Sequence, residues 1–230
     1  EWTSSETETA DLQELFLNIL EGCMDFYQAL DSKSGYTVDT NESGDVQLKM
    51  DVLSDGLFIK HLSANKNVGL IASEEQADVK KLNAKGKYGV CYDPVDGSSI
   101  VDANLSFGSV FGVYETDDFI GCKASELKLA VLVIYGPKIM VYAAAEKSVC
   151  EFLGSHSDLQ LVDAGVELNA KNPIMAVGNL SYVLSDPVLN KYFRFLLDQK
   201  ISMRYSGSLT VEIAHILSKR AGVFMYVVTT

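Results

Sequence analysis

The sequence is poor in cysteine and in basic residues and has no long apolar run, and each shortage excludes a class of protein. The four cysteines are widely spaced with no Cys-x-x-Cys pair, so neither a zinc site nor a disulfide framework is indicated, and free thiols are expected. No apolar run is long enough to span a bilayer, no signal-peptide pattern opens the chain, and no internal repeat is present. We therefore expect a globular protein of the reducing cytoplasm, or of a plastid if a leader has been removed, with no membrane partner.

Basic residues are outnumbered, with 19 Lys and Arg against 31 Asp and Glu, which gives a formal net charge of −12. Nucleic acids and anionic membranes bind proteins through concentrated Lys and Arg, so neither is expected as a partner. An anionic small substrate stays open, because a metal ion or a few well-placed basic residues can reverse the local field.

Hydrophobic spacing along the 230 residues indicates a layered α/β or α+β protein. Residues 1–10 are polar and acidic and are predicted to form a disordered tail. Apolar residues at helical spacing predict an amphipathic helix over 11–31, and the stretch 46–62 is a second helix or a strand–helix junction. Further helices are predicted after the N-cap Asp186 and over 208–220, and strands over 68–73, 88–92, 106–115, 127–145 (two strands joined by a turn) and 221–230.

Five carboxylates fall near the ends of these predicted elements: Asp51, Glu74, Glu75, Asp93 and Asp96. Asp93 and Asp96 lie on a proline-stiffened turn that can aim both side chains into one small volume, where Val95 can add a backbone carbonyl. Oxygen ligands of this kind suit Mg²⁺, with Mn²⁺ as the alternative metal.

The segment after Asp96 suits a phosphate. Gly97, Ser98 and Ser99 offer backbone N–H groups and hydroxyls. A metal on one side and phosphate donors on the other favour hydrolysis of a phosphate ester. At this point the alternative remains open, because Asp-Pro followed by Asp-Gly is also an ordinary turn and Glu-Glu pairs usually lie solvated on a surface.

Several segments together resemble the fructose-1,6-bisphosphatase family of sugar bisphosphatases, relatives of inositol monophosphatase in the lithium-sensitive phosphatase superfamily. The matching segments are SEE (73–75), GDVQLKMDVLSD (44–55), GKYGVCYDPVDGSS (86–99), FGSVFGVY (107–114) and RYSGSL (204–209). The resemblance implies a layered α-β-α-β-α sandwich. It also implies a metal-binding half over residues 11–145 and a sugar-phosphate-binding half over residues 146–230.

The resemblance further implies a role for each matching residue. The implied metal ligands are Glu74, Asp93, Asp96, the carbonyl of Val95, and Asp45. The pair that would orient and deprotonate the attacking water is Asp51 and Glu75, and the scissile phosphate would be held by Gly97, Ser98 and Ser99. Contacts to the distant phosphate and the sugar are implied for Asn179, Tyr182 and Tyr205. Arg204 resembles an arginine that reaches a phosphate in the neighbouring subunit, which implies a homodimer or homotetramer.

The expected substrate is a sugar bisphosphate. Ile100, where fructose-1,6-bisphosphatases typically have Asn, and the segments IYGPK (134–138) and GNL (178–180) resemble sedoheptulose-1,7-bisphosphatases more closely. We therefore expect hydrolysis of the 1-phosphate of sedoheptulose 1,7-bisphosphate, with fructose 1,6-bisphosphate as the alternative. The family continues past the position of Thr230 with a lysine and a glutamate, so the second half is expected to be truncated or incomplete. A non-catalytic phosphosugar-binding subunit is the third reading.

Overall fold

Helices and strands alternate along the chain in a computed structural model that describes residues 6–31, 46–146, 148–169 and 172–226. The helices are α1 (Glu6–Asp31), α2 (Val46–Ala64), α3 (Leu180–Ser185), α4 (Pro187–Asp198) and α5 (Leu209–Lys219). The strands are β1 (Val68–Ser73), β2 (Lys80–Lys81), β3 (Tyr88–Asp96), β4 (Phe107–Glu115), β5 (Leu127–Tyr135), β6 (Ile139–Ala145), β7 (Ser148–Ser155), β8 (Asp158–Asp163), β9 (Ile174–Val177), β10 (Ser202–Met203) and β11 (Gly222–Met225).

Eight strands form one large sheet in the order β2-β1-β3-β4-β5-β6-β7-β8. Strand β1 runs parallel to β3, and every later neighbour in the sheet is antiparallel. Side chains alternate between the two faces of a strand, and β5 buries both sets. Val131 and Val133 belong to the core beneath α1 and α2, whereas Leu132 and Ile134 pack with Ala214 of α5 on the opposite face.

Helices α1 and α2 cover the first face of this sheet. The buried residues of α1 recur at helical spacing, as the sequence predicted: Leu12, Leu15, Ile19, Cys23, Phe26 and Leu30. The predicted disordered tail over residues 1–10 was wrong from Glu6 onward, because α1 already begins there. Two features favour the longer helix. Acidic side chains are stabilised at a helix N-terminus, and Glu8 pairs with Lys128 of β5 at 3.0 Å.

A second, three-stranded parallel sheet has the order β10-β9-β11. Helix α5 lies between the two sheets, and α3 and α4 pack on the outer face of the small sheet through Met175, Val183, Phe193 and Leu196. Asp186 caps α4 by accepting hydrogen bonds from the backbone N–H groups of the next turn, as predicted. The layers therefore follow the order α-β-α-β-α, which confirms the predicted fold class.

Strands β7 and β8 form a hairpin that the sequence analysis did not predict. Both strands are half-buried or exposed along their length, and neither contains the long apolar run that marked the buried strands. The hairpin continues the large sheet directly from β6. The predicted boundary between residues 145 and 146 therefore falls inside one sheet, not between two structural units.

Two expectations about the whole chain can be compared with the structure. All four cysteines are free, as their spacing predicted. Among the described residues, no helix combines the length and the hydrophobicity needed to cross a bilayer.

Candidate active site

The two acidic pairs lie at the same edge of the large sheet. Because β1 and β3 are parallel neighbours, their carboxyl ends meet, with Ser73 opposite Tyr92. The backbone N–H of Glu74 continues this pairing by donating to the carbonyl of Tyr92 at 3.0 Å. Glu74 and Glu75 therefore follow β1 at the edge where Asp93 and Asp96 end β3.

A bulge at Pro94 shapes the end of β3. The pairing register with β4 shifts between Asp93 and Asp96, at a proline that has no N–H to donate to the ladder. The N–H of Val95 donates instead to Oδ1 of Asp93 at 3.0 Å. Ser109 Oγ donates to the Pro94 carbonyl at 2.6 Å and lies 2.9 Å from the hydroxyl of Tyr135. Buried groups therefore fix the turn that carries both aspartates.

Asp51 faces this edge from α2. It is 7% exposed, and its Oδ1 is buried without a hydrogen-bond partner in the described part of the chain. Burial, followed by the charge of Glu74, raises the pKa of Asp51. Native proteins rarely leave a buried carboxylate oxygen unpaired, so this atom requires an explanation.

The carboxylates of this edge perturb one another. Burial of the carboxyl group, a hydrogen bond with Glu74 and the charges of Asp51, Glu74 and Asp93 raise the pKa of Glu75 to about 7. Burial, then the charge of Asp96, raises the pKa of Asp93 to about 6. None of these carboxylates forms an ion pair with a described residue, so no basic side chain in that part of the chain balances their charge.

These residues fit a hard divalent cation by their chemistry. They supply anionic oxygens, uncompensated negative charge and, at Asp51, a buried oxygen without a partner. Among the described residues, no three Asp, Glu, His or Cys side chains lie close enough together to hold a metal ion. Asp45, a further predicted ligand, lies outside the described residues.

The turn after Asp96 is built around a glycine. Gly97 has φ 88°, in the left-handed region, and begins the 3₁₀ turn Ser98–Ile100. A Cβ atom at this position would lie 2.7 Å from Cβ of Ser208, so backbone conformation and space both require glycine. Ser99 is exposed at the end of the sheet. A left-handed residue next to a helical one is the backbone arrangement of many anion-binding turns.

The N-terminus of α5 holds Asp96 through two residues that sequence reasoning missed. Oδ2 of Asp96 accepts three hydrogen bonds, from Ser208 Oγ at 2.6 Å, from the Thr210 backbone N–H at 2.7 Å and from Thr210 Oγ1 at 2.8 Å. Ser208 is also the N-cap of α5, accepting from the N–H of Val211. Its identity as an N-cap could have been predicted from the sequence, but its contact with Asp96 could not. The three donors fix the carboxylate and leave Oδ1 for another partner.

The residues expected to bind the sugar lie on the loops of the small sheet. Tyr205 approaches Gly178, where an added Cβ would lie 3.3 Å from the tyrosine hydroxyl. Burial, then Tyr226, Glu212 and the charge of Asp96, raises the pKa of Tyr205. Tyr205 therefore lies within electrostatic range of the acidic edge. Asn179, next to Gly178, adopts φ 52° and occupies the N-cap position of α3 without a capping hydrogen bond from its side chain.

Two further predicted residues are less closely connected to this edge. Tyr182 lies on α3 with 39% of its surface exposed. The exposed guanidinium of Arg204 donates to the Met203 carbonyl at 2.8 Å, and its charge acts on His215 of α5. The described contacts do not join Tyr182 or Arg204 to the carboxylates, so their roles remain predictions.

Comparison with known proteins agrees with this geometry. Residues 4–162 match the family model described as the N-terminal domain of fructose-1,6-bisphosphatase. A class 1 fructose-1,6-bisphosphatase of Campylobacter hominis is 35% identical over 197 residues, covering 85% of this chain and 68% of the relative. A class 1 enzyme of the same name from Campylobacter jejuni is 32% identical over 219 residues, covering 95% and 76%.

Solved structures show the same fold. A Toxoplasma gondii protein that carries the name sedoheptulose-1,7 bisphosphatase aligns with a TM-score of 0.80 at 23% identity, over 96% of this chain and 74% of its own. Fructose-1,6-bisphosphatase of Leishmania major aligns with a TM-score of 0.77, also at 23% identity, over 94% and 72%. The shared layers, the acidic edge and the extended sequence identity lead to one conclusion: this chain belongs to the fructose-1,6-bisphosphatase family.

Proposed function

We propose that this protein is a Mg²⁺-dependent phosphatase that removes the 1-phosphate from fructose 1,6-bisphosphate. The observation that carries the proposal is the edge where β1, β3 and α2 gather carboxylates with no basic partner among the described residues, directly beside the Gly97 turn. The family relatives described above carry the name of the fructose enzyme. They favour this substrate over the seven-carbon sugar that the sequence analysis placed first.

In this proposal the metal is held by Glu74, Asp93, Asp96 and the carbonyl of Val95. A bound Mg²⁺ would supply charge for the phosphate oxygens and would activate a water molecule. Mn²⁺ takes similar oxygen ligands. Asp96 is prepared for this role, because its Oδ2 is occupied by Ser208 and Thr210 while Oδ1 is not needed by those donors.

Asp51 and Glu75 would orient the attacking water and accept its proton. Burial and the neighbouring carboxylates raise the pKa of Glu75 in the metal-free chain, and a bound cation would oppose the part of this shift that comes from their charges. Gly97, Ser98 and Ser99 would hold the scissile phosphate through the backbone of the 3₁₀ turn.

The remaining predicted contacts belong to the sugar and its second phosphate. Asn179 and Tyr205 lie on adjacent loops at the end of the small sheet, with Tyr182 one turn further along α3. Arg204 is exposed and would reach the phosphate bound in a neighbouring copy, within a homodimer or homotetramer.

Sedoheptulose 1,7-bisphosphate is the second candidate substrate, favoured by the position of Ile100. Its Cγ2 lies 3.3 Å from where a Cβ would be at Gly207, so this side chain joins the phosphate turn to the loop that carries Tyr205. A side chain at that junction can influence which sugar fits.

Phosphate release from both sugar bisphosphates, measured with and without Mg²⁺, tests the proposal, with Asp96→Asn as the control. We expect Mg²⁺-dependent turnover that the substitution abolishes, with a higher kcat/KM for fructose 1,6-bisphosphate. A higher kcat/KM for the seven-carbon sugar would instead identify sedoheptulose 1,7-bisphosphate, the substrate inferred from Ile100, as the preferred one. Binding of either sugar without any turnover would instead support a non-catalytic phosphosugar-binding subunit.

A further inference from the structure

A second carboxylate of α2 lies one helical turn beyond Asp51. Asp55 is 3% exposed. Its Oδ1 accepts a hydrogen bond from the hydroxyl of Tyr92 at 2.8 Å, and its Oδ2 accepts one from Nε2 of Gln76 at 2.5 Å. Both oxygens of a buried carboxylate are thus bonded to neutral donors, which satisfies the group without neutralising it.

These two bonds connect three segments of the candidate site. Gln76 directly follows Glu74 and Glu75 on the exposed turn after β1, and Tyr92 directly precedes Asp93 on β3. Asp55 itself is on the helix that carries Asp51, four residues away. One side chain therefore joins the helix, the turn and the strand that bear the carboxylates.

Among the described residues, the backbone hydrogen bonds of the turn after β1 run to strands, and one of them joins the N–H of Glu74 to the Tyr92 carbonyl of β3. The N–H of Glu75 donates to Ser73 Oγ at 3.2 Å and the N–H of Gln76 to the Ser73 carbonyl at 3.2 Å. Both bonds hold the turn to its own strand. The bond from Gln76 to Asp55 crosses to α2, the helix that also carries Asp51.

We propose that Asp55 is a positioning residue for the water-activating pair, holding Glu75 at its distance from Asp51 by fixing Gln76. The inference rests on the proposed function, since it concerns the pair assigned there to the attacking water. A carboxylate suits the task because it accepts both hydrogen bonds at once, whereas an amide in its place must present a donor on one side. Tyr92 fixes the carboxylate from the strand side, so the turn is held against a rigid group.

Exchanging the two partners tests this role. Gln76→Glu places two carboxylates against each other and should push the turn away from α2. Asp55→Asn together with Gln76→Glu restores one donor and one acceptor with their direction reversed, and the new amide oxygen still accepts from Tyr92. Gln160→Glu is the matched control, because Gln160 also donates to an aspartate, Asp158, on the exposed hairpin strand β8.

Three measurements are made on the 230-residue chain: kcat and KM for fructose 1,6-bisphosphate with Mg²⁺, the melting temperature, and amide hydrogen exchange over residues 73–77. We expect Gln76→Glu to lower kcat by about tenfold or more with KM within about twofold, since outer contacts of this kind typically control activity by about 10–100-fold. Exchange over the turn should accelerate. In the double variant, kcat and the exchange rate over the turn should return to within about threefold of the wild-type values. Gln160→Glu should change neither kcat nor the exchange rate.

The inference is overturned if Gln76→Glu keeps the wild-type kcat and exchange protection. It is also overturned if the double variant recovers the melting temperature but not kcat, because Asp55 would then only support the fold. If the wild-type chain shows no turnover, the proposed function fails instead. The exchange data alone then decide whether Asp55 holds the turn, and unchanged protection in Gln76→Glu would refute it.

Discussion

The contact between Asp96 and Thr210 provides a quantitative prediction. Thr210 is fully buried, and its Oγ1 lies 2.8 Å from Oδ2 of Asp96. Thr210→Val keeps the shape of the side chain and the backbone donor but replaces the hydroxyl with a methyl group. The loss of a hydrogen bond to a charged group should cost about 1.5–3 kcal/mol in the free energy of unfolding. For a chain of this size, the melting temperature should fall by roughly 3–12 °C.

Thr210→Ser is the matched variant, because it keeps the hydroxyl and loses one buried methyl group. Its cost should be about 1 kcal/mol. Denaturant unfolding of both variants in EDTA measures the difference. The two should also separate in turnover: Thr210→Val should raise the half-saturating Mg²⁺ concentration by about tenfold through a less well oriented Asp96, and Thr210→Ser should not. If Thr210→Val is as stable as Thr210→Ser and needs no more Mg²⁺, the hydroxyl does not position Asp96.

Three further outcomes follow from the same edge. Gly97→Ala should lower the melting temperature and abolish phosphate release, because φ 88° is unfavourable for alanine and the added Cβ would clash with Ser208. Retained activity would show that the turn tolerates a Cβ. Folding raises the pKa of Glu75 from 4.5 to about 7, so the folded chain binds this proton more tightly and loses stability as pH rises through that window. The melting temperature of Glu75→Gln, measured in chelator, should therefore rise relative to that of the wild type as the pH increases from 5 to 8. A difference between the two that does not change with pH would contradict the assigned cause. Mg²⁺ at about 100 times its dissociation constant should raise the melting temperature by roughly 5–10 °C, and Asp96→Asn should remove the shift; an equal shift in the variant would place the ion elsewhere.

Local patterns were sufficient to predict part of the site. The carboxylates Glu74, Glu75, Asp93 and Asp96 follow apolar strands in the sequence, and parallel neighbours bring such ends together. The glycine at position 97 was also recognisable as a turn residue from the Asp-Gly-Ser-Ser segment, and the structure gives it φ 88°. Both predictions depend on residues a few positions apart, where chain geometry leaves few alternatives.

The supporting contacts were not predictable in this way. Asp96 and Thr210 are 114 positions apart, and Asp55 and Tyr92 are 37 apart. Nothing in the spacing of a serine, a threonine or an aspartate states which distant partner it meets. Similarly, the polar residues before Asp11 read as a tail until the ion pair between Glu8 and Lys128 of β5 is considered.

The sequence by itself determined the alternation of helices and strands, the acidic edge of the large sheet and membership of the fructose-1,6-bisphosphatase family, because hydrophobic period and short motifs are local properties. Only the tertiary structure decided which groups hold those carboxylates in place. Asp96 is fixed by α5 and the turn bearing Glu75 by Asp55, since a hydrogen bond depends on distances and angles that arise only when the layers pack.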